Sequence, residues 1–236
     1  MLEEKLKAGI LTYHSMFGKV QQGRLVSDIS DYVHEYELDI LLGPEWLFMP
    51  ETRLYSKEEK QDIVKGLAEK TKTRDTLIIP GSIMWEDDKF FYNTAPIISK
   101  GKLIGEQHKW TDGGSKMKAC TRSCSKPKYK DFDNPRDVFK WRDYRIGVEI
   151  CADMGELYHH LEKSELPFLD FYFLVSDGVL ISKYEQEIPL KLNGYGLNSD
   201  GEGLTIVLRR GKGRFDMQFP KKELKDLKIY ELTWEK

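Results

Sequence analysis

The chain has 236 residues, of which 40% are hydrophobic and 32% charged, and its formal net charge is −2 at pH 7. This composition is typical of a globular protein and gives no overall attraction to nucleic acid or to an anionic membrane. Three cysteines argue against a disulfide framework and for a reducing compartment, and the N-terminus lacks a signal-peptide core, so we expect a cytoplasmic protein. The length predicts a single domain spanning residues 1–236.

Short apolar strands alternate with amphipathic helices in the first half of the chain. Val26, Ile29 and Val33 recur at helical spacing, which predicts a helix over residues 26–37. Ser56 followed by Glu59 resembles a capping box that opens a second helix, ending near residue 72. Strands are predicted over residues 8–13, 40–42 and 76–80, and residues 82–85 are expected to continue the third strand.

The chain from residue 91 onward is predicted to contain more strands than helices. A hairpin is predicted from residue 91 to Lys109, with its turn at Lys100 and Gly101. Helices interleaved with strands indicate an α/β protein, although periodicity does not decide between one sheet and two. The segment 183–192 is ambiguous. The other predicted elements are strands at 138–141, 145–151, 171–175, 204–208, 214–219 and 227–232, and a short helix at 157–163.

One strand delivers a thiol at its C-terminal end. Residues 144–150 alternate apolar and other side chains, Cys151 follows, and the segment that begins at Asp153 resembles a helix start. A thiol near a helix N-terminus can face a cleft and is favoured as thiolate, whereas the simpler interpretation is a buried core residue. Glu149 points away from the face shared by Val148 and Ile150, toward solvent, a partner subunit or the side of Cys151, and a plain surface charge is the first interpretation.

Two further strand ends each carry one charged residue. The strand at 40–42 runs through Gly43 and Pro44 into Glu45, whose apolar neighbours predict partial desolvation and a pKa raised toward the range of a general base. The second strand of the hairpin ends at Lys109. Either residue alone is best explained as an exposed strand-end charge. Their combination with Cys151 makes that explanation weak.

The three strand ends resemble the motifs of the carbon–nitrogen hydrolases, or nitrilase superfamily, which use a Glu, a Lys and a Cys in that chain order. The resemblance implies an α/β fold built as a four-layer α-β-β-α sandwich of two mixed β-sheets. It also implies an enzyme, and we further expect a homo-oligomer, a dimer or larger. The matching segments are Pro44-Glu45-Trp46, Pro80-Gly81-Ser82, Tyr92-Asn93-Thr94-Ala95 with the following Gly turn and Lys109, and Gly147-Val148-x-Ile150-Cys151-x-Asp153.

The resemblance assigns the roles in the chemistry. Cys151 is the nucleophile that forms a thioester, and Glu45 takes the thiol proton and returns it to the leaving amine. Lys109 and the backbone N–H of Ala152 stabilise the negative charge that develops on the attacked group. We expect no metal and no nucleotide cofactor, because the sequence lacks a Walker-type loop and a dinucleotide-binding Gly-rich turn. Candidate substrate-binding residues are Trp46, Asn93, Asp112, Lys116 and Lys118.

The sequence leaves the substrate and the outcome open. A small amide is the first expectation, while nitriles and carbamoyl amides use the same residues, and an amine could replace water as the acyl acceptor. Members of the family often carry a further Glu in the loop after the Lys. Here the span from Lys109 to Tyr144 has no Glu, and Asp112 is its first carboxylate. The alternative to an enzyme is therefore a nitrilase-like scaffold that binds a small molecule or a partner without turnover.

A basic segment lies between the Lys and Cys motifs. Residues 113–130 contain six basic side chains and no acidic one. The segment is either a lid that selects an anionic substrate or a solvated surface loop. Cys120 and Cys124 within it are spaced C-x-x-x-C, which is a poor pattern for a zinc site.

Overall fold

A computed structural model describes residues 3–13, 22–50, 53–87, 90–110, 128–129 and 137–235. Within these ranges the chain forms three α-helices, α1 (Gln22–Glu35), α2 (Lys57–Thr71) and α3 (Glu156–Lys163). None of these helices has the length and apolar character needed to cross a membrane. The strands are β1 (Glu3–Leu11), β2 (Ile40–Leu42), β3 (Tyr55–Ser56), β4 (Leu77–Ile79), β5 (Ile83–Glu86), β6 (Phe90–Ser99), β7 (Lys102–His108), β8 (Lys128–Tyr129), β9 (Phe139–Trp141), β10 (Tyr144–Ile150), β11 (Leu169–Ser176), β12 (Leu190–Asp200), β13 (Thr205–Arg210), β14 (Phe215–Gln218), β15 (Lys222–Glu223) and β16 (Leu227–Glu235).

The first sheet is mixed. Its strand order is β15-β16-β1-β2-β4-β6-β5-β3, and β7 and β8 also pair with β6. Strands β1, β2 and β4 are parallel, while β16 and β6 run antiparallel to their neighbours in this group. The β6–β7 hairpin turns at Lys100 and Gly101, both with positive φ, as the sequence predicts.

The second sheet has the order β14-β13-β12-β11-β10-β9. Its centre is parallel, since β10 pairs with β11 and β11 with β12 in the same direction. Strands β9, β13 and β14 are antiparallel additions at the two edges. Because parallel strands have their carboxyl ends at one edge, the loops after β10 and β11 are neighbours.

Alternation of side chains gives each sheet an inner and an outer face. Ile40 and Leu42 enter the core between the sheets, whereas Leu41 packs with the residues of α1 and α2. In the second sheet Val148 also enters the core between the sheets, and α3 covers the outer face through buried residues such as Leu157. The layers are therefore α-β-β-α, and the predicted fold is confirmed.

Three local predictions need correction. Residues 83–86 do not continue β4; they form the separate strand β5, because Gly81 turns the chain at a φ of 102°. Helix α3 begins at Glu156 and follows a 3₁₀ turn, Cys151–Asp153, rather than starting at Asp153. The ambiguous segment contains the 3₁₀ turn Glu185–Glu187 and leads into β12, a central strand that the sequence analysis missed.

Candidate active site

The loop after β2 holds Glu45 by its backbone. A Cβ on Gly43 would lie 2.4 Å from the carbonyl oxygen of Pro80, so the loops after β2 and β4 touch backbone to backbone. The N–H of Glu45 donates to the carbonyl of Ser176 at the end of β11, at 3.1 Å. The next N–H, that of Trp46, donates to Oγ of Ser82 at 2.8 Å. Strand ends of both sheets therefore fix the position of Glu45.

Lys109 reaches the same carboxyl from the end of β7. Its N–H donates to the carbonyl of Asn93 on the neighbouring strand β6, at 2.8 Å. Its Nζ donates to Oε1 of Glu45 at 2.6 Å, and both side chains are buried, with 3% and 1% of their surface exposed. The side-chain amide of Asn93 donates to the same oxygen at 2.8 Å. Asn93, proposed from the sequence as a substrate contact, thus holds Glu45.

Cys151 occupies a strained position at the end of β10. Its φ is +50°, a left-handed conformation that is uncommon for residues other than glycine. The side chain is half-buried against the core between the sheets, and Sγ donates to the carbonyl of Asp177 at 3.9 Å. The thiol is near enough to Glu45 and Lys109 for the three groups to alter one another's pKa. The structure therefore brings the three sequence-predicted residues together.

Burial and charge set the protonation of these groups. Burial raises the pKa of Glu45, opposed by the charge of Lys109. Burial and then the negative charge of Glu45 raise the pKa of the Cys151 thiol to about 12. For Lys109 burial acts to lower the pKa, but the charges of Glu45 and Cys151 outweigh it and the pKa is raised. The prediction that this junction favours a thiolate is therefore wrong for the resting site, because burial and Glu45 keep the proton on sulfur.

Two acidic residues near Cys151 have roles that the sequence analysis did not assign. Glu149 is only 2% exposed, so its interpretation as a surface charge is wrong. The outer face of β10 is covered by α3, and the carboxylate accepts hydrogen bonds there instead of facing water. Asp153 accepts a hydrogen bond from the N–H of Trp110, the residue after Lys109, at 2.5 Å. Strand alternation shows only that Glu149 lies on the face opposite Val148. Predicting its burial would also have required knowing that α3 covers that face.

The remaining candidate residues are distributed as follows. Ala152 is exposed within the 3₁₀ turn that begins at Cys151. Trp46 has a φ of +63° and buries its ring in an apolar cluster with Met49 and Met84. Five other residues considered from the sequence lie outside the described residues: Asp112, Lys116, Lys118, Cys120 and Cys124. Within the described ranges, no group of three or more His, Cys, Asp and Glu residues is placed to hold a metal ion.

Comparisons with known proteins bear on the family and the fold of the chain. A family model, Carbon-nitrogen hydrolase, matches residues 17–158. Nit3 of Saccharomyces cerevisiae, a member of branch 10 of the nitrilase superfamily, is 16% identical with a TM-score of 0.65, covering 97% of this chain and 90% of that chain. An amidase from Nesterenkonia sp. is 13% identical with a TM-score of 0.67, covering 96% and 90%. No curated protein matches the chain. Because the family model covers more than half of its residues, the chain belongs to the carbon–nitrogen hydrolases.

Proposed function

We propose that the chain hydrolyses the C–N bond of a small amide through a thioester on Cys151. One observation carries the proposal: the buried ion pair between Lys109 and Glu45 lies beside the thiol. Burying two charges costs several kcal/mol per ion, and a hydrophobic pair of similar volume would fill the same space at less cost. A base and a cation held next to a nucleophile are what acyl transfer requires.

In the first half of the reaction, Glu45 takes the proton of the Cys151 thiol as sulfur attacks the amide carbon. The carbonyl π electrons move to oxygen, and Lys109 with the N–H of Ala152 stabilises the resulting charge. When the C–N bond breaks, Glu45 returns the proton to the leaving nitrogen and a thioester remains. The raised pKa of Glu45 suits this exchange, because the carboxyl must both accept and release a proton near neutral pH.

In the second half, water replaces the amine. Glu45 takes a proton from the water, whose oxygen attacks the thioester carbon. The tetrahedral intermediate collapses, the C–S bond breaks, and sulfur recovers the proton from Glu45. The products are a carboxylic acid and ammonia or an amine, and Cys151 is again a thiol.

The solved relatives support an amide as the substrate class. In a mutant of the Nesterenkonia amidase, the acetamide moiety of fluoroacetamide is covalently added at the active-site cysteine. Variants of the same amidase were also solved in complex with acrylamide and with butyramide. Each of these molecules carries an unsubstituted carboxamide, so we expect small primary amides to be substrates of this chain.

The test combines turnover with trapping of the intermediate. Wild type and Cys151→Ala are incubated with butyramide, acetamide and a matched nitrile. Ammonia release reports turnover, and intact-protein mass spectrometry reports an acyl adduct. The proposal requires ammonia from an amide and an acyl adduct on wild type only. Normal turnover by Cys151→Ala would overturn it, and so would a wild type that releases no ammonia from either amide, whether or not it hydrolyses the nitrile. Near-UV circular dichroism of both proteins serves as the control for folding.

A further inference from the structure

Glu149 places a buried carboxylate on the outer face of β10, two residues before Cys151. It accepts hydrogen bonds from the N–H of Gly155 at 3.0 Å, from the N–H of Leu157 at 2.6 Å, and from the hydroxyl of Tyr172 at 2.5 Å. We call these four groups the Glu149 clamp. With three donors on one carboxyl group, both of its oxygens are hydrogen-bonded inside the protein.

The clamp closes a short loop that contains the candidate nucleophile. Its two backbone donors lie four and six residues after Cys151, and its acceptor lies two residues before it. Both ends of the Cys151 turn are therefore attached to one side chain. Tyr172 attaches that side chain to β11, the parallel neighbour of β10.

The turn inside this loop is strained and needs such support. Cys151 has a φ of +50° and Gly155 one of +96°, so two left-handed residues occur within five positions. Any other residue at Gly155 would be strained, because side chains rarely adopt that φ. Asp153 ties the middle of the turn to Trp110 beside Lys109. Strained positions persist only where surrounding contacts determine them, and the clamp supplies those contacts here.

A helix cap alone does not require this arrangement. A carboxylate near the N-terminus of α3 interacts favourably with the helix dipole, but an exposed Ser or Asp would do so without burying a charge. Loss of any partner of a buried charged group leaves that group unsatisfied. The clamp therefore holds the turn in one geometry more strongly than a surface cap could.

We infer that Glu149 is a positioning residue, which with Tyr172 fixes Cys151 at the distance from Glu45 and Lys109 that the reaction needs. The inference rests on the proposed function for its effect on turnover. Its effect on the Cys151 turn itself is independent of that function. Glu149 touches neither substrate nor reacting atoms, and its influence acts through the backbone of the turn.

The test uses Glu149→Gln and Tyr172→Phe, with Asp170→Asn as the matched control. Asp170 is also a buried carboxylate that accepts a backbone N–H of β10, but at the far end of the strand, from Arg145 at 2.8 Å. All proteins carry Cys120→Ser and Cys124→Ser, so that Cys151 is the one thiol of the chain. The measurements are kcat and KM with a small amide, the rate of Cys151 alkylation by iodoacetamide, and hydrogen exchange of the peptide from Ala152 to Leu161.

The expected result is a specific loosening of the turn. In Glu149→Gln we expect faster exchange in the peptide, faster alkylation as the thiol becomes more accessible, and a kcat lower by about 10- to 100-fold with KM nearly unchanged. Tyr172→Phe removes one donor of three and should show the same changes to a smaller extent. Asp170→Asn should lose stability without these changes.

Three outcomes would overturn the inference: unchanged exchange and alkylation in Glu149→Gln, unchanged kcat despite loosening, or equal losses of kcat in Asp170→Asn. If wild type has no turnover, the proposed function fails separately. Exchange and alkylation then still decide whether Glu149 holds the Cys151 turn.

Discussion

The Nζ atom of Lys109 lies 2.6 Å from Oε1 of Glu45, and the two side chains are almost completely removed from solvent. A pair of this kind contributes little net stability, because desolvation offsets the attraction between the charges. Replacing only one of the two residues is destabilising, because the other charge then stays buried without its partner. The pair therefore links the stability of the fold to the geometry of the site.

The first prediction follows from that link. Lys109→Met should lower the free energy of unfolding by about 3–5 kcal/mol, because Glu45 is left buried and unpaired. It should also lower kcat/KM by about 10²- to 10³-fold through loss of the cation that stabilises the oxyanion. Adding Glu45→Gln should restore much of the stability without restoring turnover. Urea unfolding and amide hydrolysis are the measurements, and a double variant no more stable than Lys109→Met contradicts the prediction.

The second prediction separates the reactivity of the thiol from catalysis. The negative charge of Glu45 raises the pKa of Cys151, and Lys109 lowers it. Glu45→Gln should therefore lower the pKa of the thiol and speed its alkylation at pH 8. Turnover should fall by about 10²- to 10⁴-fold, because the proton acceptor is lost. Alkylation rate against pH and kcat against pH are measured on the same preparations.

The control for this experiment is Glu69→Gln, at a side chain that is 70% exposed on α2. It removes the same charge from the chain and should change neither the alkylation profile nor kcat. Slower alkylation in Glu45→Gln, or equal changes in both variants, would show that Glu45 does not control the thiol.

The third prediction concerns Asn93. Its side-chain amide donates to Oε1 of Glu45 at 2.8 Å, which favours the ionised carboxyl. In Asn93→Ala the pKa of Glu45 should rise, so the acidic limb of kcat/KM against pH should move to higher pH. A hydrogen bond to a charged group contributes about 1.5–3 kcal/mol, which corresponds to a shift of about one to two pH units. An unshifted limb with reduced activity would indicate a substrate contact instead.

The fourth prediction is the pH dependence that Glu149 confers on stability. Burial raises the pKa of Glu149 to about 7 from an ordinary value of 4.5, and the charge of Asp153 adds to this, against the donors Tyr172, Leu157 and Gly155. The folded state therefore binds the proton more tightly than the unfolded state. Stability from this group is fully present below pH 4.5 and is lost as the pH rises toward 7, by about 3 kcal/mol in total.

Glu149→Gln removes this titration. The difference in unfolding free energy between wild type and Glu149→Gln should change between pH 5 and pH 8, with wild type losing the additional stability at the higher pH. Urea unfolding at the two pH values measures it. A difference that is the same at both pH values would mean that Glu149 does not titrate in this range.

Local signals explain why much of the fold could be predicted. The capping box at Ser56 and Glu59 forms as expected, because both of its hydrogen bonds lie within one turn of chain. Strand β2 was predicted with its observed bounds, since three apolar residues run directly into Gly43. Strand β12 was missed because Gly194 and Gly196 interrupt its pattern. A Cβ on Gly196 would meet Ile181 at 2.9 Å, a requirement set by tertiary packing and invisible in the local sequence.

In the candidate site, too, some features could be predicted from local sequence and others depend on tertiary packing. The three candidate residues, Glu45, Lys109 and Cys151, were proposed from the family resemblance, and each follows a strand end. Their protonation could not be predicted, since it depends on burial by both sheets and on mutual distance. Strand alternation also placed Glu149 opposite Val148 correctly, but alternation does not reveal that α3 covers that face.

The last prediction concerns the basic segment 113–130, which lies almost entirely outside the described residues and is argued from the sequence. Its six basic and no acidic residues would attract a substrate that carries a carboxylate or phosphate if the segment borders the cleft. Such attraction acts on encounter and is screened over about 10 Å at 0.1 M salt. Neutralising Lys116, Lys118 and Arg122 should then raise KM for an anionic amide and leave KM for a neutral amide unchanged.

The comparison of kcat distinguishes steering from positioning. If only charge steering is lost, kcat for the anionic amide should stay nearly constant, and added salt should reproduce the rise in KM in wild type. A fall in kcat for both substrates would show that the segment supports Lys109, in the place where other family members carry a further Glu. If neutralisation changes KM equally for both amides, or changes neither, the segment is a solvated surface loop.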